Sequence, residues 1–284
     1  MHPKIIFVEG NIGAGKSTFL DALRNHIEHL RPAASHSRPE APLLPANLPL
    51  RPQESLAPAS VQNGEHKDLM RLVPEHAPAS IQNGVSEELF DKIKSICVDG
   101  RYKRKYEMHL PPNNIPSSSY TVFLKEPVDI WESIADAFGK TILEKMYEDP
   151  AKYASIFQFL AFQTLEKQFM EALENPFTEL IVCERSLQST WHVFAKMMHD
   201  DGYMNDIEYA VYERMCKKSD VMYIEPDLVV YLDVDVNTCF ERVKKRNRRG
   251  EENITLEYLS RCEKYHKEMM HSGLVNIEKL ITIS

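Results

Sequence analysis

The chain has 284 residues, 43% of them hydrophobic and 27% charged, with a formal net charge of −8 at pH 7. That length fills one large domain or two small ones. The acidic balance argues against a nucleic-acid coat while leaving room for a small anionic ligand held by local arginines. Five cysteines, Cys97, Cys183, Cys216, Cys239 and Cys262, are scattered without C-x-x-C spacing. They suit a reducing compartment and offer neither a zinc site nor a disulfide framework.

Lys4-Ile5-Ile6-Phe7-Val8 is a short β-branched and aromatic run that reads as a buried strand. The chain enters it within about four residues, which leaves no room for a signal or transit peptide. No apolar run approaches the roughly 18 residues that span a bilayer. The expectation is a soluble protein, cytoplasmic or nuclear, with neither a membrane nor a nucleic acid as partner. The stretch Gly10-Asn11-Ile12-Gly13-Ala14-Gly15-Lys16-Ser17-Thr18 follows the strand and fits G-x-x-x-x-G-K-[ST]. Behind it Phe19, Leu20, Leu23, Ile27 and Leu30 recur at helical spacing. In a strand, glycine loop and helix in this order, backbone N–H groups surround a phosphate, Lys16 reaches it and the Ser17 hydroxyl can hold Mg²⁺. Chance would produce the four near-fixed positions in roughly one chain in a hundred of this length, fewer with the flanking pattern. The sequence therefore predicts binding of a nucleoside triphosphate.

Residues 31–119 differ from the rest. They hold 12 of the 17 prolines, and no apolar period runs across 31–84. Ala57-Pro58-Ala59-Ser60-Val61-Gln62-Asn63-Gly64 returns as Ala77-Pro78-Ala79-Ser80-Ile81-Gln82-Asn83-Gly84. Two copies are too few for a solenoid, and a proline-bearing unit of this size cannot bury a face of its own. The stretch reads as a disordered insertion, with a docking segment as the alternative. Residues 86–97 predict one short helix with Ser86 as its N-cap. The basic run Arg101–Lys105 reads as a solvated face.

Globular patterning resumes at Tyr120, and Tyr120–Glu126 predicts a second strand stopped by Pro127. Helical patterns follow over 129–146 and 151–174, then a third strand, Leu180–Cys183, ending in Glu184-Arg185-Ser186. Helices are expected over 187–200 and 205–219, and a fourth strand over Asp227–Leu232. Asp235 then caps a helix running to about Arg246. A helix over 255–270 and a short strand, Leu280–Ile283, complete the pattern. Strands alternating with helices imply an α/β fold with a parallel sheet flanked by helices on both faces. The glycine loop after the first strand makes it a P-loop fold, which the family resemblance below narrows to the P-loop kinase type. Such sheets bind ligands beyond the carboxyl ends of their strands. The glycine loop, Glu126, Glu184-Arg185 and Asp233 each end a strand, so they should meet in one crevice. The domain reading is one unit over 1–284, interrupted by 31–119.

A carboxylate at Glu126 near the γ-phosphate can take the proton of an attacking hydroxyl. Phosphoryl transfer needs mainly positioning and charge compensation. Arg185 can pair with Glu126 and hold a substrate oxygen, and Glu184 can reach the Mg²⁺ shell through water. One Glu at a strand end is ordinarily a surface carboxylate, but three such signatures in phase with a phosphate loop reverse that weighting. Arg242 and Arg246 share a helix face within a basic cluster that runs on through Arg248 and Arg249 to Gly250-Glu251-Glu252. The alternatives for that cluster are a nucleic-acid patch or a solvated helix end; the following Gly-Glu-Glu suggests a mobile arginine lid over the donor phosphates.

These residues resemble the deoxyribonucleoside kinases, the group of deoxycytidine and deoxyguanosine kinases, mitochondrial thymidine kinase and the insect multisubstrate enzyme. The matching segments are Gly10–Thr18, Glu126-Pro127-Val128 with Trp131, Met146–Pro150 leading to Phe157-Gln158, Glu184-Arg185-Ser186, and Arg242 through Glu251-Glu252 to Leu256–Leu259. The resemblance implies ATP-dependent phosphorylation of a deoxynucleoside 5′-hydroxyl by a homodimer under feedback inhibition by a deoxynucleoside triphosphate. It puts the general base on Glu126 and its companion arginine on Arg185. Base reading falls on Gln158, aromatic walls on Trp131 and Phe194, and 3′-hydroxyl contacts on Tyr147 and Glu252. The resemblance puts the lid arginines on Arg242 and Arg246.

Three departures stand out: the 31–119 insertion, an extra lid residue before Glu251 with one fewer after Glu252, and a second Phe-Gln pair at Phe162-Gln163. Leu165 and Thr190 stand where the deoxycytidine enzyme carries an Arg and an Asp. Their smaller, uncharged side chains leave room for a 5-methyl group, which predicts a pyrimidine preference including thymidine. Two rivals stay open. A thymidylate-type monophosphate kinase shares the loop and a Tyr-Leu-Asp-Val-Asp-like strand, but needs arginines for the acceptor's phosphate and typically an Asp-Arg pair after strand three. An inert nucleotide-binding scaffold is the other.

Overall fold

The apolar run at the amino terminus forms β1 (Lys4–Gly10), the central strand of a five-stranded sheet in the order β2-β3-β1-β4-β5. In this computed structural model, residues 3–29, 89, 92–93, 95–96 and 120–284 are described. β2 (Tyr120–Leu124), β3 (Thr178–Glu184), β4 (Leu228–Leu232) and β5 (Leu280–Ile283) all run parallel to their neighbours. Ile6 stands opposite Val182 of β3 on one side and Leu228 of β4 on the other. The parallel sheet expected from the strand–helix alternation is present.

Side-chain alternation builds two cores. Ile5, Phe7, Ile181, Cys183, Val229 and Tyr231 face α4 (Pro150–Glu174), α6 (Asp206–Cys216) and α8 (Leu256–His271). Ile6, Val8, Val182, Leu228 and Val230 face α1 (Lys16–His29) and α7 (Val236–Arg246). Burying both faces explains why these strands read as continuous apolar runs. Leu89 and Ile93, helical residues within 31–119, are buried in the second core. They fall inside the helix expected over 86–97. The repeat, the basic run Arg101–Lys105 and the expected disorder lie outside the described residues.

The helix expected over 129–146 is two helices, α2 (Val128–Ser133) and α3 (Ile142–Glu148). Between them Asp136 accepts hydrogen bonds from the N–H groups of Phe138 (2.9 Å) and Lys140 (3.0 Å), and Gly139 sits at φ 77°. An aspartate that satisfies backbone donors in this way competes with the helix. Thr141 and Glu144 then start α3 with a reciprocal capping box. Pro150 occupies the first turn of α4, where its missing N–H costs nothing. The helix expected over 187–200 contains a π-helical segment, Thr190–Ala195, between α-helical Leu187–Ser189 and Lys196–Asp200; the whole run is α5. A π-helical turn shifts the side chains that follow it and frequently marks a functional site.

Candidate active site

Because the strands are parallel, the carboxyl ends of β1 to β4 open on one edge of the sheet. At the end of β1, Gly10, Gly13 and Gly15 all have positive φ (147°, 83° and 96°). A Cβ on Gly13 would lie 2.4 Å from the Cys239 carbonyl oxygen, so the loop passes α7 at a distance only glycine permits. Asn11 pins the loop to α8 by donating to the Leu259 carbonyl (2.9 Å), and it accepts from the Ile12 N–H. Lys16 is buried and donates to the carbonyls of Gly10 (3.1 Å) and Asn11 (2.9 Å). Burial and the nearby Arg185 push its ammonium down to about 8. Arg242 donates to the carbonyls of Gly13 and Ala14 from across the loop. Ala14 is buried beneath the loop and Thr18 is exposed.

The residues ending β2 and β3 converge on this loop. Ser17 donates to both carboxylate oxygens of Glu184 (2.8 and 3.0 Å). Arg185 takes the left-handed conformation, φ 71°, while its N–H still bonds the Val8 carbonyl. Glu9 steadies this strained turn by accepting from the Ser186 N–H (2.8 Å) and hydroxyl. The Arg185 side chain turns back, forms an ion pair with Glu126 through Nε and donates to the Gly10 carbonyl. Its guanidinium lies 4.5 Å from the Phe194 ring centroid. Burial pushes Glu126 up, but the charges of Arg185 and Lys16 and the Arg185 hydrogen bond outweigh it, and the carboxyl ends below its ordinary value. Glu184 moves the other way, raised by burial and by the Glu126 charge. A carboxylate ionised at neutral pH and held at the tip of β2 is chemically a proton acceptor.

Beyond the phosphate end, Trp131 is buried edge-on against Phe157 (5.2 Å) and donates to Thr164. Gln158 is 2% exposed, with no side-chain hydrogen bond recorded among the described residues. Leu165 lines a small cavity of about 20 Å³ together with Leu124, Glu184 and Arg185. Thr190 is buried in the π-helical segment and turns its hydroxyl to the Leu187 carbonyl.

The structure places the expected lid residues in different surroundings. Glu252 is exposed; it is the neighbouring Glu251 that is buried, close enough for its charge to help raise the Tyr147 hydroxyl, behind the larger effect of burial. Gly250, at φ 88° and packed on the backbone of Glu144, turns the chain so that Glu251 points inward. Arg242 and Arg246 also part company. Arg242 bonds the loop, whereas Arg246 makes two bonds to Glu251, which pairs with Arg248 as well.

Three residues of this arrangement escaped the sequence reading. Glu9 and His266 contact the Arg185 turn, and Glu251 is buried near Tyr147. A carboxylate interrupting an apolar strand was the available signal for Glu9. His266 follows Leu259 and Cys262 on the buried stripe of α8, where it reads as core.

A family model for deoxynucleoside kinases matches residues 116–283, and the chain belongs to that family. A probable deoxycytidine kinase of fowlpox virus is 31% identical over 183 residues, 64% of this chain and 74% of its own. Human mitochondrial thymidine kinase 2 is 28% identical over 192 residues, 66% of this chain and 68% of its own. Among solved structures, a deoxyadenosine kinase from M. mycoides superposes with a TM-score of 0.57 at 17% identity, covering 99% of this chain and 90% of that one, a likeness of fold. The protein is a kinase that phosphorylates nucleosides with ATP as donor. Among the described residues no helix is long and apolar enough to cross a membrane.

Proposed function

We propose that the chain transfers the γ-phosphoryl group of ATP to the 5′-hydroxyl of a deoxyribonucleoside, with a pyrimidine preference that includes thymidine. The observation that carries this reading is the Glu126–Arg185 pair beside the glycine loop, an ionised base next to a fixed cation. In this mechanism Glu126 accepts the 5′-hydroxyl proton as that oxygen attacks, and Arg185 and Lys16 hold the charge developing on the phosphoryl oxygens. Trp131, Phe157 and Phe194 bound the base, Gln158 reads its edge, and Tyr147 with Glu251 takes the 3′-hydroxyl. Arg242 is the lid arginine nearer the donor phosphates, with Arg246 held in reserve by Glu251.

The hydroxyl of Ser17 beside the Glu184 carboxylate is an all-oxygen pair suited to Mg²⁺. Among the described residues no group of three or more His, Cys, Asp and Glu could hold a metal on its own. Ser17 and Glu184, the latter through water, would therefore hold the ion together with nucleotide oxygens. Bound there, Mg²⁺ would supply charge neutralisation of the phosphates.

We read the chain as a single kinase domain interrupted at 31–119. Deleting residues 35–85, which spares Leu89 and Ile93, is expected to leave a folded, active kinase, since loop closure entropy grows only slowly with length. Melting temperature and turnover of the deletion check this; an insoluble or inactive product would make the interruption part of the fold.

Assembly as a homodimer is supported by exposed Ile156 on α4 and exposed Ile207 and Val211 on α6, two helices joined through Phe159 and Tyr212. Feedback inhibition by a deoxynucleoside triphosphate and a cytoplasmic location rest on the family resemblance and composition.

Incubation with Mg-ATP and each nucleoside or nucleoside monophosphate, with ADP release followed, tests the assignment. Turnover with monophosphates alone would favour the thymidylate-type reading, and none with any acceptor the scaffold. Leu165→Arg with Thr190→Asp is expected to shift preference from thymidine toward deoxycytidine by about 10-fold or more in the ratio of kcat/KM, because the pair fills the 5-methyl space. Leu165→Arg alone should do worse, leaving a buried cation without its partner. An unchanged ratio in the double variant would remove these two side chains from the base pocket.

A further inference from the structure

Helix α8 reaches the Arg185 turn through His266, which is wholly buried. Its Nδ1 lies 2.7 Å from the Cys262 carbonyl oxygen one turn earlier, a contact in which the ring must donate. Nε2 is thereby left with a lone pair, and Nη1 of Arg185, 3.2 Å away, donates its N–H to it. The other edge of the guanidinium is taken by Glu126, and its face by Phe194. His266 meets the same Phe194 ring edge-on at 5.7 Å and stacks with Tyr231 at 6.4 Å.

We infer that His266 is a positioning residue: it fixes, as a hydrogen-bond acceptor, the plane in which Arg185 presents its guanidinium to Glu126 and to the transferred phosphoryl group. The inference rests on the roles proposed above for Glu126 and Arg185. Burial, with the charges of Arg185 and Lys16 facing the ring, holds the imidazole well below its usual range and therefore neutral, while Cys262 and Tyr231 add no charge. A protonated ring would present a second cation to Arg185 and lose its acceptor. The arrangement also ties α8 to both halves of the site, since Asn11 bonds Leu259 and Arg185 bonds His266 on the same helix. Positioning of this kind acts on turnover more than on substrate capture.

The test compares His266→Phe and His266→Gln in the full-length chain, each alone and combined with Arg185→Lys. Glutamine can place an oxygen near Nε2, whereas phenylalanine fills the space without an acceptor. The expected result for His266→Phe is a loss of about 10-fold or more in kcat, with KM for ATP changed less than about twofold. His266→Gln should recover most of that loss. In the Arg185→Lys background, His266→Phe should cost less than about twofold, because the partner it positions is already gone. Three results would each overturn the inference: an unchanged kcat in folded His266→Phe, a glutamine variant no better than phenylalanine, or an undiminished loss in the Arg185→Lys background. If His266→Phe does not fold, His266→Met is the apolar variant to use. Failure of the parent reading looks different: Glu126→Gln would then keep its turnover whatever the coupling between His266 and Arg185.

Discussion

Glu126→Gln is expected to bind ATP and nucleoside with little change while losing about 10²–10⁴ of turnover, the usual cost of removing a general base. The amide preserves the shape of the carboxylate, and its oxygen can still accept from Arg185 Nε, so the clamp on the guanidinium survives. It cannot take up the hydroxyl proton. Because Arg185 and Lys16 hold the native carboxyl below its ordinary value, the wild-type base is charged throughout the neutral range. The wild-type rate should therefore hold through neutral pH, falling on the acid side as Glu126 is protonated and on the alkaline side above about pH 8, where Lys16 loses its charge. Single-turnover rates and equilibrium binding of both substrates provide the check. A variant keeping more than about a tenth of native turnover would remove Glu126 from the role of base.

Gly13→Ala should be the most damaging single methyl in the phosphate loop. The backbone there has φ 83°, and the new carbon would meet the Cys239 carbonyl oxygen at 2.4 Å, a main-chain atom of α7 that cannot swing aside. Left-handed strain costs about 1–2 kcal/mol before any clash is counted. We expect a fall of about 10–100-fold in kcat/KM for ATP together with a lower melting temperature. Gly139→Ala is the control: φ is 77°, but nothing lies within 4 Å of the added carbon. It should show a small stability loss and unchanged ATP kinetics. Equal ATP kinetics in the two variants would mean that the approach of the loop to α7 does not shape the site.

Local signals carried most of the fold. The strands were legible because both faces of the sheet are buried, giving β-branched runs with sharp polar ends, and the glycine loop was legible because its backbone demands particular residues in order. The break between α2 and α3 was not. Ile130, Ile134 and Phe138 are spaced four apart and imitate a helical stripe, yet all three are exposed and Asp136 closes a turn among them. The π-helical segment is likewise invisible to a 3.6-residue period. The convergence of the residues at strand ends was legible because topology sends strand ends to one edge. Glu9 and His266 were missed because each sits where an apolar side chain would read just as well. Which of the adjacent Glu251 and Glu252 is buried was not legible, because the two differ only in which way Gly250 turns the chain.

The central place of β1 has a consequence for how the chain is made. Its first strand emerges from the ribosome long before either partner, since β3 begins at Thr178 and β4 at Leu228. Until β3 has been synthesised, Ile5 to Val8 have no neighbouring strand to pair with, and until β4 follows one side of β1 stays unpaired, the kind of edge that favours misassembly. Such long-range pairing also slows the search for the native topology. The residues that cradle the phosphate, made before the strands beside them, thus acquire their final shape only after those strands arrive.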